Sequence, residues 1–182
     1  MSKLQEGRTA PELNVKDIFG NHVSLKNYSG KRVLLSFYRF ASCPFCNLRV
    51  HELTQKQAEL QAQGLELIAV FHSPDENVRK YVGGKSIPFP IIADQNEKLY
   101  QRYGIQRSWF GMVRAMMVRM GKLGEAMRLG FNPGTIDIDA VHMPADFFIG
   151  DNRSILKAYY GKDSADSLSI EEIEALLKPP QL

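Results

Sequence analysis

Long apolar runs are missing from this chain of 182 residues, and none approaches the roughly 20 apolar residues that a membrane-spanning helix needs. The first ten residues, Met1-Ser-Lys-Leu-Gln-Glu-Gly-Arg-Thr-Ala10, also lack the apolar centre of a secretory signal. No repeat and no low-complexity segment is present. These absences predict a cytoplasmic protein without stable membrane insertion. With 44% hydrophobic residues the chain has enough apolar surface for the core of one domain, so residues 1–182 are expected to fold as one unit. Cysteine is scarce as well, with only two present. In a reducing compartment a close cysteine pair is more often catalytic or metal-binding than a structural bridge.

The two cysteines stand three positions apart in Cys43-Pro44-Phe45-Cys46, directly after the mainly apolar run 33–41. That run ends a strand, and the residues that follow open a helix. Orphan N–H groups and the positive dipole end at a helix start favour a thiolate over a thiol, which makes one sulfur a nucleophile at neutral pH. Two thiols at this spacing can also close a disulfide without unfolding the chain. The pattern points to thiol redox chemistry.

Turn residues and apolar spacing divide the chain into alternating strands and helices. Residues 18–22 read as a turn between short strands near Leu13 and Val23. Residues 33–38 and 65–71 read as buried strands, separated by a helix that Gly64 ends. A helix begins near Asp75, a short strand ends at Asp94, and a short helix covers 96–103. After an insert at about 106–134 come strands at 146–149 and 155–159, then a helix over 169–177.

From Ala10 to about Leu177 this order resembles the thioredoxin-like superfamily, and within it the peroxiredoxin-like (AhpC/TSA) branch. Ala10-Pro-Glu-Leu13, Asp17-Ile-Phe-Gly-Asn21, Val23-Ser-Leu25 and Tyr28-Ser-Gly-Lys31 are similar to the amino-terminal extension of that branch. The entry Phe37-Tyr38 into the cysteine loop matches as well, as does Met143-Pro-Ala-Asp-Phe-Phe-Ile149 followed by Arg153-Ser-Ile155. The resemblance implies an α/β fold with a central mixed sheet flanked by helices, an amino-terminal β-hairpin extension and a helical insert. It also implies that a cis Met143–Pro144 peptide faces the cysteine pair.

Two chemistries follow from the resemblance. As a thiol-disulfide oxidoreductase, Cys43, nearer the helix start and more exposed, attacks a substrate disulfide. Cys46 then resolves the mixed disulfide. As a thiol-dependent peroxidase, one cysteine is oxidised by the peroxide and the other resolves it. The peroxiredoxin loop Pro-x-x-x-Thr-x-x-Cys, laid on this chain, puts Cys46 at the peroxidatic position. It puts Arg39 in place of the Pro and Cys43 in place of the Thr, while Pro144 sits near the usual distant Arg. Arg39 or Arg49 is then the candidate substitute donor. A thioredoxin-type Trp before the first cysteine is replaced by Ser42.

Either reaction calls for an external thiol electron donor and for no cofactor. A third reading is a redox sensor or binding protein whose insert rearranges on oxidation. A zinc site would draw His51, His72 and His142 to the cysteines, but only the cysteines have finger-like spacing, so no metal is expected. His142, beside Met143-Pro144, is placed to tune the site, and Asp146 to cap a strand end.

The insert is basic and rich in methionine. Between Arg102 and Arg128 six basic residues face one acid, Glu125, and five of the chain's seven methionines lie there. Trp109, Met112, Val113, Met116, Met120, Leu123 and Met127 follow helical spacing. The expectation is one amphipathic helix that buries this stripe across its own domain and leaves its basic face in solvent. A homodimer or partner contact through the stripe is the next reading. Membrane-surface binding is weakened by Gly111, Gly121 and Gly124, and nothing else in the chain supports nucleic acid as a partner.

Overall fold

Apolar side chains on both faces of the middle strands dictate a sheet covered on both sides. A computed structural model describes residues 2–83, 86–134 and 141–178. Its main sheet has β3 (Arg32–Phe37) at the centre, with β4 (Leu65–Phe71) and β5 (Ile91–Ala93) to one side. On the other side lie β6 (Ala145–Ile149) and β7 (Ile155–Tyr160). β3, β4 and β5 are parallel, whereas β6 is antiparallel to both β3 and β7. A separate hairpin, β1 (Asn14–Lys16) and β2 (His22–Ser24), supplies the expected extension. The mixed α/β thioredoxin-like architecture therefore stands as the sequence implied.

Alternate residues of β3 point to opposite cores. Leu34 packs with Val50, Leu53 and Leu60 of α1 (Pro44–Ala62) and with Ile173 of α6 (Ile170–Leu177). Val33, Leu35 and Phe37 face Tyr100 of α3 (Lys98–Arg102), Tyr103 and the hairpin residue Val23. Burying a side chain of this size stabilises the fold by about 1.5–3 kcal/mol. Gly64, at φ +82°, turns the chain out of α1 and directly into β4, a conformation that costs other residues strain. Helix α2 (Asp75–Val78) starts after Pro74 and runs on as a π-helical turn over Arg79–Gly83.

The insert departs from the sequence reading. It forms two helices, α4 (Trp109–Val118) and α5 (Met120–Arg128), divided at Arg119. The stripe points outward: Trp109 is 66% exposed, and Val113, Met116, Met120 and Met127 are exposed with it. What packs inward is small, namely Gly111, Ala115 and Ala126. A Cβ at Gly111 would lie 2.5 Å from Met143 Sδ and 3.0 Å from the Lys162 carbonyl oxygen, so only glycine lets α4 approach this closely. The basic face is partly engaged too, because Arg114 and Arg119 reach the buried Asp163 carboxylate at 3.7 and 3.4 Å. No helix among the described residues is long and apolar enough to cross a membrane.

Candidate functional site

Cys43 is the N-cap residue of α1 and Pro44 its first helical residue, a position where the missing N–H and fixed φ of proline fit helix initiation. The preceding loop is held by its backbone. Ala41 N–H donates to Ser73 Oγ (2.8 Å), and Asn47 Nδ2 donates to the carbonyls of Ala41 (2.7 Å) and Cys43 (3.1 Å). The loop thus fixes both sulfurs before any substrate arrives.

Both thiols are free and buried, Cys43 at 1% exposure and Cys46 at 3%. The expectation that Cys43 is the more exposed sulfur is overturned, since it is buried as fully as Cys46. Arg39, itself buried, places Nη1 3.7 Å from Cys43 Sγ, and its backbone N–H donates to Cys46 Sγ at 3.4 Å. Burial by itself raises the Cys43 thiol. The hydrogen bond from the Cys46 thiol, the Arg39 guanidinium and the backbone dipoles of Cys46 and Phe45 outweigh it and pull Cys43 down to about 6. Cys46 moves up, through burial and through giving its proton to the bond with Cys43. The pair therefore holds one anion, on Cys43, at neutral pH.

The other sequence candidates divide. Arg49 is buried, but Nη1 is taken by Glu52 (2.9 Å) and Nη2 by the Leu168 carbonyl, so Arg39 is the arginine at the sulfur. Pro144 and Cys46 wall the same small cavity, while Met143 turns away to pack under Gly111. The Met143–Pro144 bond is trans, so the cis expectation is not met.

Asp146 is buried and accepts hydrogen bonds from Ser36 Oγ (2.6 Å) and Leu168 N–H (2.8 Å), tying β3, β6 and the approach to α6 together. Burial pushes its carboxyl up, against the opposing pull of Arg49. Asp146→Ala leaves two buried donors without an acceptor and is expected to lower stability by about 2–4 kcal/mol in urea unfolding.

The histidines do not gather at the sulfurs. His51 lies against the Phe131 ring, and His72 and His142 meet each other and Glu97 instead. Burial and the positive charges near it hold His142 down to about 4, so it is neutral.

The cavity beside Cys46 has about 20 Å³ of free volume, room for about one water-sized molecule. Tyr38 Oη, Arg49 Nε and Ser164 Oγ, all on its wall, are buried without hydrogen-bond partners. The sequence marks Tyr38 only as part of the entry into the cysteine loop, and nothing in it points to Ser164. Tyr38 belongs to an apolar run, and Ser164 reaches the site from beyond β7 only through the fold.

The AhpC/TSA family profile matches residues 7–158. Peroxiredoxin Bcp of Escherichia coli is 25% identical over 113 residues, 61% of this chain and 72% of that protein. Thiol-disulfide oxidoreductase ResA of Halalkalibacterium halodurans is 29% identical over 106 residues, 58% of this chain and 60% of that one. In fold, peroxidoxin BcpB of Mycobacterium tuberculosis superposes with a TM-score of 0.67 at 15% identity, over 96% of this chain and 94% of that one.

Proposed function

The chain belongs to the AhpC/TSA family and is an oxidoreductase of the thiol-disulfide or thiol-peroxidase type, and from that premise we propose that it reduces small hydroperoxides with Cys43 as nucleophile and Cys46 as resolving thiol. The observation that carries this reading is the Arg39 guanidinium 3.7 Å from the buried Cys43 sulfur. A cation fixed at that position stabilises the thiolate and remains beside the negative charge that develops on oxygen as the O–O bond breaks. Burial of both sulfurs favours a small oxidant over a protein disulfide, which must bring its own backbone to the attacking sulfur.

The Cys43 thiolate attacks the terminal oxygen of ROOH, the O–O bond breaks, and the departing alkoxide takes a proton from water to leave as ROH. Cys43 is then a sulfenic acid. Cys46 attacks its sulfur, water leaves, and a Cys43–Cys46 disulfide forms. An external dithiol reduces that disulfide and is itself oxidised.

Cys46→Ser keeps a hydroxyl donor beside Cys43 and removes the resolving sulfur. The variant is expected to consume about one equivalent of peroxide, to accumulate sulfenic acid that dimedone traps on Cys43, and to lose turnover with dithiothreitol. Unchanged turnover overturns the assigned role of Cys46. Reduction of a protein disulfide is the second reading, favoured by Pro144 standing with Cys46 on one cavity wall. Insulin reduced faster than hydrogen peroxide at equal concentrations would select it.

A further inference from the structure

Behind Arg39, at the same end of the sheet as the cysteine loop, three side chains from distant parts of the chain converge. His72 follows β4, Glu97 opens α3, and His142 precedes β6. Each is fixed by its backbone. His72 N–H donates to the Arg39 carbonyl (2.9 Å), and Glu97 N–H to the Asp94 carbonyl (3.2 Å). His142 is bridged to Arg107, with Ser108 N–H on the Val141 carbonyl and Met143 N–H on the Gln106 carbonyl, both 2.8 Å. Glu97 holds φ +56°, a left-handed conformation that non-glycine residues adopt at a cost, and it points its carboxylate at the two imidazoles.

We propose that His72 Nε2, His142 Nε2 and the Glu97 carboxylate bind a divalent first-row transition ion, with zinc as the reference case, leaving at least one coordination position open. His72 Nε2 is 3.3 Å from Glu97 Oε1, His142 Nε2 is 3.7 Å from Oε2, and one donor atom from each residue lies within 4.8 Å of the others. Ligands held about 2.0–2.2 Å from a tetrahedral ion stand roughly 3.3–3.6 Å apart; the His72–Glu97 pair has that spacing, and the His142–Glu97 pair, at 3.7 Å to the other carboxylate oxygen, is slightly wider.

A hydrogen bond accounts for the His72–Glu97 contact at 3.3 Å but not for His142, whose 3.7 Å to the other carboxylate oxygen is too long for a nitrogen–oxygen hydrogen bond. Two imidazoles and one carboxylate form a donor set suited to zinc or iron(II), with water or substrate in the remaining positions. Both imidazoles are 2% exposed or less, so the ion would sit in a shielded corner. Arg107 competes for Glu97 Oε1, the oxygen facing His72, at 3.9 Å, but its side chain is 47% exposed and has solvent to move into.

Neither sulfur is among the three ligands, so the test removes both. The full chain carrying Cys43→Ser and Cys46→Ser is titrated with Zn²⁺ by calorimetry and with Co²⁺ by visible absorption. One equivalent is expected, with cobalt d–d bands and no thiolate charge-transfer band. Adding His142→Ala or Glu97→Gln to that background is expected to weaken binding by at least roughly 10²-fold, and Arg107→Ala to tighten it. Glu97→Gln keeps the size of a partly exposed side chain, so its far-UV circular dichroism should match the parent and exclude misfolding as the cause. No binding, or binding equally tight in both ligand variants, overturns the site.

Discussion

Cys43→Ser is expected to lower the second-order rate with hydrogen peroxide on the order of 10³-fold, the largest effect of any single substitution in this chain. The reason is the asymmetry of the pair. An ordinary thiol with a pKa of about 8.5 is roughly 3% thiolate at neutral pH, whereas Cys43, at about 6, is mostly ionised. Cys46 cannot substitute, because burial and its bond to Cys43 raise it, and without Cys43 it remains a buried thiol whose sulfur accepts from the Arg39 backbone N–H. The measurement is peroxide consumption under pseudo-first-order conditions. Its decisive outcome lies in the comparison with Cys46→Ser. If Cys43→Ser keeps the fast first step and Cys46→Ser loses it, the nucleophile is Cys46, the residue at the peroxidatic position of the loop motif.

Arg39→Met is expected to produce the second-largest effect, a loss of roughly 10²–10³-fold in the same rate constant. Methionine retains much of the apolar stem of Arg39 and removes the guanidinium, whose charge lies 3.7 Å from Cys43 Sγ and whose carbon sits over the Phe40 ring. Two consequences separate an electrostatic role from a structural one. The wild-type rate should fall tenfold per pH unit below about 6 and level off above it, because the reactive form is the thiolate. In Arg39→Met that break should move to higher pH, since the guanidinium is one of the causes that lower Cys43. Arg39→Lys should restore part of the rate and part of the shift. Loss of rate with an unmoved pH break would assign Arg39 to holding the loop alone.

Much of this fold was legible because the strands obey simple patterns. The second buried strand falls on 65–71 as read, since Gly64 must end the helix before it and every residue from Leu65 to Phe71 except Glu66 is apolar. A strand-to-helix junction at the cysteines was legible from the apolar run before them, whereas the start at Pro44 with Cys43 as its cap was given by the structure. Exposure of the sulfurs was not legible, because it depends on how the loop 38–42 folds back, and that is set by Ser73 and Asn47 through bonds to backbone atoms. The insert misled for a different reason. Periodicity tells which residues are apolar, but burial there was decided by Gly111, Ala115 and Ala126, whose small size lets backbone approach backbone. Glu97 carried no signal at all. Its importance comes from a left-handed backbone and from two histidines brought to it by β4 and the segment before β6.

The most direct test of the central claim is stopped-flow oxidation of the fully reduced protein by hydrogen peroxide, followed by intrinsic fluorescence, with the products of each phase quenched and weighed by mass spectrometry. The account predicts a fast phase, first order in peroxide and absent from Cys43→Ser, that adds one oxygen at Cys43. A second phase, independent of peroxide concentration and absent from Cys46→Ser, then loses water to give the Cys43–Cys46 disulfide. Oxidation no faster than that of a free thiol at the same pH would contradict it and return the dithiol to exchange with protein disulfides.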